Sequence, residues 1–115
     1  MTLEASRPSA ADHGRRRVCS LADLPEEGAV RVQVGERALC VARSQGQVYA
    51  VGDTCTHADV SLSEGDVEDG TVECWLHGSR FDLRTGAPIG LPATKPVPTY
   101  PVTVIGDEIF VKVEN

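Results

Sequence analysis

The chain has 115 residues, 41% hydrophobic and 24% charged, with 17 acidic against 11 basic side chains for a formal net charge of -6. That length holds one domain with one modest core, and the balance is that of a globular chain rather than a disordered one. No apolar run is long enough to cross a bilayer, and the acidic surplus argues against nucleic acid binding.

Taken in chain order, residues 1–14 are small and polar without periodicity, and read as a flexible tail that includes His13. Arg15, Arg16 and Arg17 open no signal region, because Asp23, Pro25, Glu26 and Glu27 interrupt the apolar run that such a region needs. A cytoplasmic setting is therefore expected, where cysteines bind metal or pack rather than form disulfides. The three arginines read as a solvated strand start or as a docking patch. Short β-rich runs come next, VCS, AVRVQV, RALCVA and QVYAV, separated by PEEG, GER and SQG, and this spacing predicts antiparallel hairpins. Cys19 and Cys40 lie inside these apolar patterns and are read as small core residues. The same signature returns at TVECW and RFDL, and PVTVI and EIFVKV joined by Gly106-Asp107 predict a closing hairpin. No segment has a helical period, so the class is all-β. Between the strand-rich ends, roughly Asp53 to Ala87 reads as a loop-rich insert on a β scaffold. Residues 88–98, PIGLPATKPVP, hold four prolines and are expected to form a stiff covering loop, since proline lacks the donor a sheet ladder needs.

The chemistry is concentrated in the insert. Two of four cysteines and two of three histidines fall there, as Cys55-x-His57 and Cys74-x-x-His77 with sixteen residues between the pairs. A zinc site is open to this ligand set, but structural zinc draws its pairs from wider spacings, and a one-residue gap is cramped for one tetrahedral ion. An all-cysteine cluster would need Cys19 and Cys40, whose spacing lacks either ferredoxin pattern. A diiron centre relieves the crowding, because each loop can give its cysteine to one iron and its histidine to the other.

Cys55-Thr56-His57 and Cys74-Trp75-Leu76-His77-Gly78-Ser79 resemble the two cluster-binding boxes of Rieske 2Fe-2S proteins, in which two histidines replace two cysteines on one iron. The resemblance extends through Arg80-Phe81-Asp82, the turn Arg84-Thr85-Gly86, the Gly90-Leu91-Pro92-Ala93 loop and the terminal hairpin, as in the small Rieske ferredoxins of bacterial multicomponent oxygenases. It implies a Rieske-like antiparallel β-sandwich over residues 15–115, with a loop-rich cluster-binding subdomain at about 53–87. It also implies one 2Fe-2S cluster, with Cys55 and Cys74 on the buried ferric iron and His57 and His77 on the outer, reducible one. High-potential members carry an extra disulfide-linked cysteine in each box, where this chain has Val60 and Trp75 or Leu76. They also carry a tyrosine where this chain has Phe81, while the companion serine is kept as Ser79. Fewer donors to the cluster sulfurs imply a potential in the lower part of the family's range. Trp75, between two ligands, is read as shielding the cluster rather than as a partner contact.

From Ser44 to Ser79 there is no Lys or Arg but seven acids, Asp53, Asp59, Glu64, Asp66, Glu68, Asp69 and Glu73. They read either as solubilising charge or as a negative face that steers the cluster toward basic docking sites. A Rieske oxygenase needs a second, mononuclear iron site, and with His57 and His77 committed only His13 remains to build it. No dinucleotide fingerprint is present. The resemblance therefore implies a carrier and not an enzyme, passing single electrons from a flavin-dependent NAD(P)H reductase to a terminal oxygenase of the aromatic-ring dioxygenase type. The alternatives are a small Rieske subunit of a larger reductase, of the nitrite reductase small-subunit type, and a zinc-stabilised interaction module.

Overall fold

The computed structural model describes residues 15–55, 60–76, 78–90 and 95–113. The expectations for the 1–14 tail with His13, for His57, Asp59 and His77, and for Leu91, Pro92 and Ala93 lie outside the described residues. Eleven strands are described: β1 (Arg15–Ser20), β2 (Gly28–Val34), β3 (Arg37–Ser44), β4 (Gln47–Gly52), β5 (Val67–Glu68), β6 (Thr71–Glu73), β7 (Arg80–Asp82), β8 (Pro88–Ile89), β9 (Thr99–Tyr100), β10 (Val102–Ile105) and β11 (Glu108–Lys112). They form three antiparallel sheets with orders β1-β11-β10, β2-β3-β4-β9 and β5-β6-β7-β8, and two single 3-10 turns at Leu21–Asp23 and Leu62–Glu64 complete the regular structure. The all-β class expected from the strand pattern and the antiparallel sandwich implied by the resemblance are the architecture observed.

The β2-β3-β4-β9 sheet is the middle layer. Leu39, Cys40, Val41 and Ala42 of β3 are all fully buried, yet they serve two cores by alternation. Leu39 and Val41 pack with Ile109 and Val111 against the β1-β11-β10 sheet, whereas Cys40 and Ala42 face the core shared with the insert. A strand covered on both faces is a continuous apolar run, which is how RALCVA reads. The β3–β4 connection turns on Gln45 and Gly46, both at positive φ, and the β5–β6 connection on Asp69 and Gly70 likewise. Two successive positive-φ residues match the primed turns whose twist suits a hairpin.

A polar relay through the buried Ser44 and the exposed Glu27 ties these two turns together. Ser44 Oγ donates to Glu27 at 2.9 Å and accepts from the Gly70 amide at 2.8 Å, while the Gln45 amide donates to Glu27 at 2.6 Å. The Gln45 amide and then the Ser44 hydroxyl hold the Glu27 carboxyl below its ordinary range, against the smaller upward effect of burial. At the other end of the molecule Arg17 pairs with Glu108, so the arginine run serves as a strand start on β1.

Three readings of the sequence need correction. Pro88–Ile89 is not loop but the edge strand of the insert sheet, where a missing amide donor costs nothing. Among the described residues of this segment, Pro96–Pro98 acts as the expected cover: the Val97 amide donates to Gly86 O at 2.9 Å and the Gly52 amide to Pro98 O at 2.9 Å, sealing the insert onto β4. Trp75 lies outside any strand, because β6 ends at Glu73. The insert holds its own small sheet, including the two-residue β5, which is too short to show a period in sequence.

Candidate metal centre

Each predicted box sits at the end of its own hairpin. In the first, the Cys55 amide donates to Val60 O at 3.0 Å, Thr54 and Ser61 form an antiparallel bridge, and the Leu62 amide donates to Asp53 O at 2.6 Å. Cys55 is thus the last laddered residue before the segment that carries His57. In the second, Glu73 pairs with Arg80, the Cys74 amide donates to Ser79 O at 2.6 Å, and the Gly78 amide returns to Cys74 O at 2.9 Å. Gly78 holds φ +78°, the left-handed conformation that lets the chain close so tightly.

Cys55 and Cys74 are 3% and 0% exposed and lie in one core with Leu62, Val72, Phe81 and Leu83. Cys40 joins this core, whereas Cys19 belongs to the other one, and none of the four is in a disulfide. Burial pushes the Cys40 thiol up, with a smaller contribution from Asp53, and burial does the same to Cys19. A thiol held protonated in an apolar strand is a packing residue, as read for both. The structure thus brings two of the four predicted ligands together, and the two histidines lie outside the described residues.

What fixes the spacing of the hairpins is glycine. A Cβ on Gly65 would stand 1.7 Å from Glu73 O, so the chain after the first box rests directly on the backbone entering the second. The Glu73 amide also donates to Asp66 O at 2.8 Å. Two soft sulfur donors, both removed from water and held on adjoining hairpins, suit an iron–sulfur group, whose ligation needs thiolates in a mostly apolar shell. Ser79 is fully buried at the end of the second box, and Phe81 fully buried beneath it.

The structure changes the reading of four residues. Asp53, counted in a surface acidic face, is 2% exposed and paired with Arg31 at 3.3 Å. Glu68 and Glu73 are likewise partly neutralised by Arg80, at 3.8 and 3.5 Å. The exposed acids that remain among the described residues of the insert are Glu64, Asp66, Glu68 and Asp69. Trp75 does not shield the core: it is 50% exposed, and Leu76 beside it 43%. The signal for Asp53 was its place at the end of the apolar run YAVG, where a solvated acid is out of pattern.

Comparison with known proteins agrees with this geometry. A family model described as "Rieske [2Fe-2S] domain" matches residues 14–101. The 3-phenylpropionate/cinnamic acid dioxygenase ferredoxin subunit of Escherichia coli (strain K12) is 45% identical over 94 residues, covering 81% of this chain and 88% of that protein. The ferredoxin of carbazole 1,9a-dioxygenase from Nocardioides aromaticivorans IC177 superimposes with a TM-score of 0.81 at 38% identity, over 87% of this chain and 98% of that one. A chain in a complex of reduced oxygenase and oxidized ferredoxin in carbazole 1,9a-dioxygenase gives 0.80 at 38% identity, over 86% and 93%.

Proposed function

Because the chain belongs to the Rieske [2Fe-2S] domain family and is a ferredoxin, an electron-transfer component rather than an enzyme, we propose that it takes single electrons from a flavin-dependent NAD(P)H reductase and delivers them to a terminal oxygenase of the aromatic-ring dioxygenase type. Its cofactor is a Rieske-type 2Fe-2S cluster. Cys55 and Cys74 hold one iron, His57 and His77 the other, within a cluster-binding subdomain at about 53–87 of a domain spanning 15–115. The observation that carries this reading is the burial of Cys55 and Cys74 in one core at the ends of adjoining hairpins. When bound, the cluster supplies one reversible electron.

The residues of the chain do the rest. Phe81, Leu62 and Leu83 keep water from the cysteine side. Trp75 and Leu76, exposed immediately before His77, offer the aromatic and apolar contacts that transient partners use. Glu64 and Asp66, exposed on the segment that rests against Glu73 at the entry to the second box, steer this face toward basic partner surfaces. Cytoplasmic thiols stay reduced, which suits four cysteines without a disulfide. No helix among the described residues is long and apolar enough to cross a membrane.

The test is iron and acid-labile sulfide content with the electron paramagnetic resonance spectrum of the dithionite-reduced protein, for wild type and for Cys55→Ser, Cys74→Ser, His57→Ala and His77→Ala. The wild type should be brown, bleach on reduction and hold about two irons and two sulfides per chain, and each variant should lose them. A colourless zinc-loaded wild type, or an intact cluster spectrum in Cys74→Ser, overturns the assignment.

A further inference from the structure

Asp53 is a buried carboxylate held from four directions. Its amide donates to Ala38 O at 3.0 Å, its carbonyl accepts from Leu62 at 2.6 Å, one carboxylate oxygen accepts from the Ser63 amide at 2.8 Å, and the other pairs with Arg31 Nε at 3.3 Å. It therefore joins β2, β3 and the 3-10 turn that follows the first cluster hairpin through four separate contacts, two residues before Cys55. Its side chain is 2% exposed, whereas Arg31 is 53% exposed.

A buried carboxylate removed from its paired cation costs several kcal/mol, so chains rarely keep one for packing alone. Its charge is weakly screened in the core, while the half-exposed guanidinium is screened by water. The two charges therefore do not cancel at a point inside the protein. We infer that Asp53 and Arg31 form a positioning pair that sets the Cys55 hairpin on the scaffold, and that the uncancelled carboxylate holds down the reduction potential of the site. This rests on the cluster assignment proposed above. Reduction adds one negative charge, which a nearby carboxylate opposes and a nearby guanidinium favours. Opposite perturbations of the pair must therefore move the potential in opposite directions.

The experiment uses full-length Asp53→Asn, Arg31→Gln and the double variant beside wild type, each carrying its cluster. Protein-film voltammetry reads the potential, and amide hydrogen exchange on the iron-free proteins reads the hairpin. Asp53→Asn should raise the potential by about 28 mV, a threefold change in the one-electron constant at about 59 mV per tenfold. It should also speed exchange at Ser63. Arg31→Gln, altered on the exposed side of the pair, should lower the potential, and the double variant should lie between the two. A merely structural role would loosen the hairpin in both single variants and shift both potentials the same way. Shifts of one sign, or none, overturn the inference. If Asp53→Asn fails to fold, an unchanged potential in Arg31→Gln overturns it alone. A wild type without a 2Fe-2S spectrum refutes the cluster assignment instead, and a normal wild-type spectrum with unmoved variants refutes only this proposal.

Discussion

Gly65→Ala tests the spacing of the two cluster hairpins most directly. Gly65 has φ -93° and ψ -177°, an extended conformation open to any residue, so an added methyl carries no backbone penalty. Its cost is steric: the new Cβ would stand 1.7 Å from Glu73 O and 2.9 Å from Glu73 C. Both are backbone atoms, so no side chain can swing aside. Restoring an ordinary contact parts the two hairpins by roughly 1 Å or more, against a tolerance near 0.2 Å in metal–ligand distances. Overpacking of this kind costs about 1–3 kcal/mol, and in a domain of this size each kcal/mol is worth about 4–8 °C. Gly65→Ala should therefore lower Tm by on the order of 5–20 °C and weaken cluster retention about 10–100-fold. The assay is thermal melting together with the rate of iron loss to a chelator. Gly106→Ala is the control, because nothing lies within 4 Å of its Cβ and only its φ of +62° is strained. It should lose about 1 kcal/mol and keep its iron. Wild-type melting and iron retention in Gly65→Ala would refute the claim that this contact sets the spacing.

Ser79→Ala removes a fully buried hydroxyl at the end of the second box, and if that hydroxyl donates to a cluster sulfur the potential should fall by several tens of millivolts, at about 59 mV per tenfold and about 1.5–3 kcal/mol for a charge-assisted bond. An unchanged voltammetric midpoint would make Ser79 a turn residue only. Glu27 has its carboxyl lowered in the fold by Gln45 and Ser44, so its stabilisation is present above the unfolded value and is lost as pH falls through the folded one. Glu27→Gln should therefore narrow the gap to wild type as pH drops from about 6 toward 3, read from Tm against pH, and a constant gap would contradict this. Reduction by the reductase should slow as salt rises, because exposed charges are screened over about 8 Å at physiological ionic strength. Glu64→Gln with Asp66→Asn should flatten that slope in stopped-flow traces, and an unchanged slope would place docking elsewhere.

The two Cys-and-His boxes stood out because their pattern is local: the Cys and His spacings are properties of a few consecutive residues. The hairpins were legible for the same reason, since Gln45-Gly46 and Gly106-Asp107 mark turns between alternating runs. Asp53 was not, because its burial depends on Arg31, 22 positions earlier in the chain, and on the Ser63 amide ten later. Pro88 was misread because proline is excluded from central strands but not from an edge, and only the pairing of Phe81 with Pro88 reveals which it occupies. The exposure of Trp75 was likewise hidden, since a tryptophan between two ligands has the same sequence whether it points inward or outward.

The pairing of β1 with β11 has a consequence for how the chain is made. Arg17 and Glu108 are 91 positions apart, so at about 5–20 residues per second the first strand waits roughly 5–18 s for its partner to be synthesised. During that interval β2, β3 and β4 can already zip up as local hairpins, joined by turns of two residues. Their face bearing Leu39, Val41 and Ala50 has no cover until Ile109 and Val111 emerge. On the ribosome the vulnerable surface is therefore the outer one, away from the cysteines at 55 and 74, and a ribosome-associated chaperone would meet this protein on the side that never carries metal.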